Sequence, residues 1–257
     1  SSWKPNIDKT DYKKYAQFAC GADKYKGKGF YPKAFTQDDL GCIYYATDDN
    51  IHNSVNDVFV GNNFNEGGEP IIPAFKAWNT SKVTNMKGLF ANNYYYKRLS
   101  SNNRINYSKA VQYFNEDISG WDTGKVTDLS NMFFGSGDIY AKSFNQPLNK
   151  WNVANVTNMQ NMFSSTSFNQ SLESWNVSKA TNMQNMFDST SFNQSLESWN
   201  VSNVEHMSGM FAFTKSFNQP LNSWNVSNVG EIGAMFKNAT NFNQPLDSWN
   251  VAGVIDV

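Results

Sequence analysis

The sequence predicts a repeat solenoid of α/β character, with one short parallel strand and a short helix in every coil and a cap at the N-terminal end. Three observations carry that prediction. A unit of 24 or 25 residues recurs through most of the chain, its internal spacing never changes, and all length variation falls at one point of the unit. Periods in this range mark stacked supersecondary units that cannot bury their apolar faces alone.

The unit is plainest near the C-terminus, as FNQPLNSWNVSNVGEIGAMF, FNQSLESWNVSNVEHMSGMF, FNQSLESWNVSKATNMQNMF and FNQPLNKWNVANVTNMQNMF, with the shortened FNQPLDSWNVAGV after them. More divergent copies lie upstream, FNEDISGWDTGKVTDLSNMF from Phe114 and IIPAFKAWNTSKVTNMKGLF from Ile71. Six full units and a truncated seventh therefore occupy residues 71–257, and residues 1–70 form the expected N-terminal cap. From the first residue of each unit to its tryptophan is seven positions, and from that tryptophan to the closing phenylalanine is twelve, as in Trp151 to Phe163 or Trp199 to Phe211. Insertions occur only after the closing phenylalanine, so one edge of the stack carries them all.

Within a unit, Trp151 and Val153 alternate with Asn152 and Ala154, the period-two pattern of a strand with one buried face. Val156, Met159, Met162 and Phe163 then follow helical spacing and predict an amphipathic turn. Pro147, Pro220 and Pro245 keep the intervening corner out of any sheet interior. Stacked at the strand spacing of about 5 Å, equivalent residues form columns. Tryptophans from Trp121 to Trp249 make one, and Phe144, Phe168, Phe192, Phe217 and Phe242 another.

Residues 1–70 lack the repeat register, as a segment shielding the first coil would, although a separate small binding domain fits the same observation. They contain Cys20 and Cys42, candidates for a disulfide in an exported protein and otherwise two reduced thiols in a small core. The run from Asp48 to Pro70 has many oxygen ligands without the spacing of a calcium loop.

The strings WDTGKVTDLSNMF and FNQPLNSWNVSNV resemble the repeats of BspA-like leucine-rich-repeat bacterial surface proteins, also grouped as the DUF285 family. FYPKAFTQDDL is similar to the segment that often precedes such arrays, and the resemblance covers about residues 71–257. It implies a leucine-rich-repeat-like solenoid on a secreted or surface-anchored bacterial protein, with a role in adhesion, host interaction or virulence. The NVS and NTS sequons are repeat by-products in such a source.

A formal net charge of −1 and a pI near 6.1 provide no field to attract nucleic acid. No apolar run reaches the length of about 18 residues that spans a membrane, so no membrane insertion is expected. No basic-then-apolar leader precedes Ser1, and a chain running from Ser1 to mid-motif at Val257 reads as a trimmed ectodomain.

The best candidate binding residues lie in the two long connectors. ANNYYYKRLSSNNRINYSKAVQY, after Phe90, supplies Tyr94, Tyr95, Tyr96, Lys97, Arg98, Arg104, Tyr107, Lys109 and Tyr113. FGSGDIYAKS, after Phe133, adds Phe134, Tyr140 and Lys142. Tyrosine and arginine together are the composition of an interaction hot spot, and the expected partner is a host or environmental protein or a glycan. Equally, the rings can pack the longer loop onto the coils. A second candidate is the polar column Asn79, Asp122, Asn152, Asn176, Asn200, Asn225 and Asn250, more simply read as amides that satisfy one another between coils.

Catalysis is not expected, and neither is a cofactor or metal. His52 and His206 are the only histidines, and His206 occupies a variable slot that elsewhere holds Asn85, Asp128, Asn158, Asn182 and Glu231. There is no nucleophile elbow, metal-spaced cluster or phosphate loop. Glu173, Glu197 and Asp247 recur in register, and adjacent coils bring such carboxylates to glycosidase-like spacing. A polysaccharide-processing enzyme is therefore the alternative class, and a structural stalk or spacer the third.

Overall fold

The computed structural model describes residues 44–60, 75–91, 101–134 and 140–256. Strand β1 (Tyr44–Thr47) leads through a turn into helix α1 (Ile51–Val60). A 3-10 turn at Phe75–Ala77 precedes strand β2 (Trp78–Lys82), and helix α2 (Ser101–Gln112) fills the end of the first connector. β1 and β2 pair in parallel, with Tyr44 opposite Trp78 and Tyr45 opposite Asn79. Part of the predicted cap therefore lies on the first unit as a layer of the same kind. The architecture is that of a repeat protein with a short parallel sheet and few helices.

From β2 onward the repeats follow one another through single parallel bridges, Asn85 to Asp128, then Asn158, Asn182, His206, Glu231 and Asp256. These bridges fall seven residues after each tryptophan, inside the segment whose spacing suggests a helix. Only the first unit has its strand at the tryptophan; in the later ones the tryptophan and the two residues after it carry no strand pairing.

Hydrogen bonding explains both differences. The Trp151 N–H donates to Leu148 O (3.0 Å) and the Val156 N–H to Val153 O (2.9 Å), so tight turns consume the donors of a strand there. Further on, the N–H groups of Met159, Asn161, Phe163 and Ser165 donate to Asn182, Gln184, Met186 and Asp188 of the next unit, at 2.8–3.0 Å. A helix would need those donors for itself. The apolar spacing still reports burial correctly, since Val156, Met159, Met162 and Phe163 are fully buried.

A left-handed residue in each unit allows this path. The tenth residue after the tryptophan has φ between 53° and 64° as Gly88, Asn131, Asn161, Asn185, Gly209 and Ala234. Glycine and asparagine bear this conformation at little cost.

The core is a set of aromatic columns. Trp78 and Trp121 stack at 5.8 Å, and Trp121 on Trp151, Trp175 on Trp199 and Trp224 on Trp249 at 6.4–6.5 Å with rings within 4° of parallel. Each closing phenylalanine also stacks on the opening phenylalanine of the following unit, as in Phe133 on Phe144 (3.9 Å), Phe163 on Phe168 (4.0 Å) and Phe211 on Phe217 (4.0 Å). The indole N–H of each tryptophan from Trp121 to Trp249 donates to the backbone of the preceding unit, as Trp175 to Leu148 O (2.9 Å) and Trp199 to Leu172 O (3.0 Å). A buried ring with a satisfied polar edge is an efficient element for stacking layers.

Candidate functional site

The two long connectors leave neighbouring units at one edge, as their positions in the repeat require. Ser143 N–H donates to Gln112 O (3.1 Å), which ties the end of the second connector to the end of α2. Ser167 N–H then donates to Lys142 O (2.8 Å), continuing the edge into the next unit. Tyr113 is 69% exposed there, Lys142 is exposed and Tyr140 is half-buried.

Tyr107 belongs to the core instead. It is fully buried, its hydroxyl donates to Asn56 Oδ1 (3.0 Å), and its ring meets Phe59 edge-on at 5.7 Å. α2 turns this side chain inward against α1, so its expected role as a ligand contact is corrected to one of anchoring the connector. Tyr94, Tyr95, Tyr96, Lys97 and Arg98 lie outside the described residues, as do Cys20, Cys42 and the side chain of Arg104.

The polar column after the tryptophans is used locally. Asn152 Oδ1 accepts the N–H of Ala154 (3.1 Å), Asn176 that of Ser178 (3.1 Å) and Asn200 that of Ser202 (3.1 Å), so each caps its own turn rather than its neighbour. Amides that link units occur in the FNQ corner. Asn145 Oδ1 accepts the Asn169 N–H (2.8 Å) and the Gln170 side-chain amide (3.1 Å), and the pattern repeats through Asn193, Asn218 and Asn243.

His206 departs from its slot-mates. Where Asn158 and Asn182 accept the N–H two residues on, His206 Nδ1 sits 3.1 Å from Glu231 Oε2 on the next unit and Nε2 4.0 Å from Glu205. Glu173 and Glu197 are exposed, and their backbone carbonyls accept the hydroxyls of Ser198 (3.0 Å) and Ser223 (3.2 Å). Among the described residues no group of three or more His, Cys, Asp or Glu is placed to hold a metal ion, and no helix is long and apolar enough to cross a membrane.

Asp48 is a residue that composition did not single out. Its carboxylate accepts the Thr84 N–H (2.8 Å), the Asn85 N–H (3.1 Å) and the Thr84 hydroxyl (2.6 Å). In the other units the equivalent N–H groups donate to a threonine, glutamate or glycine carbonyl of the unit before, as Thr181 and Asn182 do to Thr157. Asp48 thus takes the place of that carbonyl at the first unit. Partial burial raises its pKa, but the hydrogen bonds from Thr84 and Asn85, with the nearby His52, outweigh burial and hold the carboxyl below its ordinary range. Aligning Asp48 with the carbonyl-bearing position of the later units was the available signal.

Repeats with one register, stacked through a fixed set of backbone bonds, define the class as a repeat protein. The family described as a Mycoplasma protein of unknown function, DUF285, matches residues 53–109, 101–194 and 166–257, and the chain belongs to that family. The matched region begins inside α1, eighteen residues before the first repeat unit at Ile71. Nothing among curated proteins or solved structures matches the chain.

Proposed function

We propose that the chain is a binding scaffold, a leucine-rich-repeat-like solenoid that recognises a host or environmental protein or glycan from a secreted or cell-surface position. It performs no catalysis; the array holds a contact surface in place. The observation that supports this most directly is the separation of constant from variable parts. Buried rings and backbone bonds repeat from unit to unit, while the two longest insertions emerge side by side at one edge, joined through Gln112 and Ser143. Insertions collected on one face of a repeat array are the usual carriers of recognition.

An array of glycans and host proteins probed with the chain tests the reading, with a variant in which Tyr94, Tyr95, Tyr96, Arg98 and Arg104 are all alanine. A specific ligand is expected, and the variant should lose it while keeping the parent's thermal transition. Binding unchanged in a folded variant refutes the connector as the contact. Cleavage of a bound glycan would replace the scaffold reading with an enzyme.

A further inference from the structure

The edge that carries the connectors has a second feature, in the unit closed by Phe211. The fourteenth residue after the tryptophan is left-handed, with φ of 62° at Ser165, 57° at Ser189, 54° at Phe213 and 55° at Asn238. Small polar residues accept this conformation, whereas a bulky side chain there is strained by roughly 1–3 kcal/mol. Phe213 does not recover that cost by full burial, being 44% exposed in a protein whose column phenylalanines are mostly sealed.

The ring is held outward by its backbone. Phe213 N–H donates to Lys237 O (2.6 Å), and Phe213 O accepts the Lys215 N–H (3.0 Å). Buried Thr214 anchors the same turn, its hydroxyl donating to Phe187 O (2.5 Å). Lys237 Nζ lies 5.9 Å from the Phe213 ring centroid, and Lys215 and Lys237 are both exposed. Along the edge toward Tyr113 stand exposed Ser191, Ser189, Ser167 and Lys142. The large exposed apolar side chains among the described residues are Tyr113, Phe213, Val251 and Ile255, so Phe213 is an isolated ring beside two exposed lysines, with the half-buried Asp188 on the adjoining turn, where Ser189 N–H donates to Ala212 O (2.8 Å).

We propose that Phe213, with Lys215 and Lys237, is a platform for an acidic polysaccharide. The ring takes the apolar face of a pyranose, and the two ammonium groups pair with its carboxylate or sulfate. A flat exposed ring flanked by ammonium groups suits a sugar face bearing acidic substituents. Coils about 5 Å apart also present hydroxyls and lysines at close to the length of one sugar residue, which extends the track toward Lys142. This proposal rests on the binding reading above and adds a site outside the long connectors.

The test measures binding of the intact chain to heparin, to neutral dextran and to poly-L-glutamate, for the parent, for Phe213→Ser and for the double change Lys215→Gln with Lys237→Gln. Serine fills this slot in two other units, so Phe213→Ser is expected to keep or raise the thermal midpoint. Heparin affinity should fall about tenfold or more in each variant, the loss expected for a hot-spot aromatic or its paired charges. Dextran should bind too weakly to measure, and poly-L-glutamate should bind more weakly than heparin with no response to Phe213→Ser. Absence of heparin binding, or heparin affinity unchanged in Phe213→Ser, overturns the proposal, as does equal sensitivity of poly-L-glutamate, which would make the partner an acidic peptide. If the five-alanine connector variant loses its array ligand while Phe213→Ser leaves heparin binding intact, the platform fails and the scaffold reading stands. If the array yields no ligand, the scaffold reading itself fails.

Discussion

Replacing Trp199 by alanine removes one rung of the indole column, and the structure sets the size of the loss. The side chain is 3% exposed, stacks on Trp175 at 6.4 Å and meets Phe187 at the same distance. Its indole N–H satisfies Leu172 O at 3.0 Å. Removing a large buried aromatic costs about 3–5 kcal/mol, and an orphaned buried carbonyl adds about 1 kcal/mol or more. Trp249 makes the same indole bond, to Leu221 O at 2.9 Å, but is only partly buried. Trp249→Ala should therefore lose roughly half as much, because less area leaves solvent when this ring packs. Urea unfolding followed by circular dichroism compares the two, and hydrogen exchange shows where each opens. Trp199→Ala should expose the units on both sides of it, and Trp249→Ala only the last. Equal losses, or exchange confined to one unit in Trp199→Ala, would refute the idea that the indoles couple neighbouring layers.

Asp48→Ala should lower stability by about 0.5–1 kcal/mol at neutral pH, the lower range for a cap because the carboxylate is exposed. Since its folded pKa lies below the ordinary 3.8, this stabilisation is present above that pH and disappears as pH falls through the lowered value, so thermal midpoints of parent and variant should converge in acid. Asp188 is the opposite case: burial raises its pKa despite hydrogen bonds from Ser189 and Ser164, so ionisation penalises the fold above the ordinary aspartate range. Asp188→Asn should raise the midpoint at neutral pH, with the gain vanishing in acid. Gly209→Ala should cost about 1–2 kcal/mol for its left-handed backbone, with a further loss as the Asn185 side chain, whose Oδ1 the added Cβ would meet, is pushed aside. Ala234→Gly, at the equivalent position, should stabilise by up to about 1 kcal/mol, and opposite signs in calorimetry check the pair.

The register was legible because identical layers need identical spacing; hence the tryptophan and phenylalanine columns could be placed from sequence. Conformation inside a layer was less legible. Val156, Met159, Met162 and Phe163 have helical spacing, yet a turned chain with Asn161 left-handed buries the same four side chains. Apolar periodicity reports which side chains go inward, not which carbonyl takes each N–H, and here the neighbouring unit outcompetes the helix. At the candidate site, Tyr107 shows the other limit. Composition marks a tyrosine as suited to contact, but only the packing of α2 on α1 reveals the inward face it occupies. Phe213 was readable in principle as the aromatic among Ser165, Ser189 and Asn238, had the turn positions been aligned as closely as the core ones.

The amide relay of the FNQ corner bears on how such a protein can change length. Asn145, Asn169, Asn193 and Asn218 each offer an oxygen to the layer after them, and Asn169, Asn193, Asn218 and Asn243 each offer an N–H to the layer before. Every such layer is therefore its own complement, top to bottom. A gene that gains or loses one whole unit by unequal recombination joins surfaces that already fit, whereas a gain of part of a unit leaves a relay amide without its mate. Selection on this protein can thus alter reach in steps of a single layer, independently of the residues displayed along its edge.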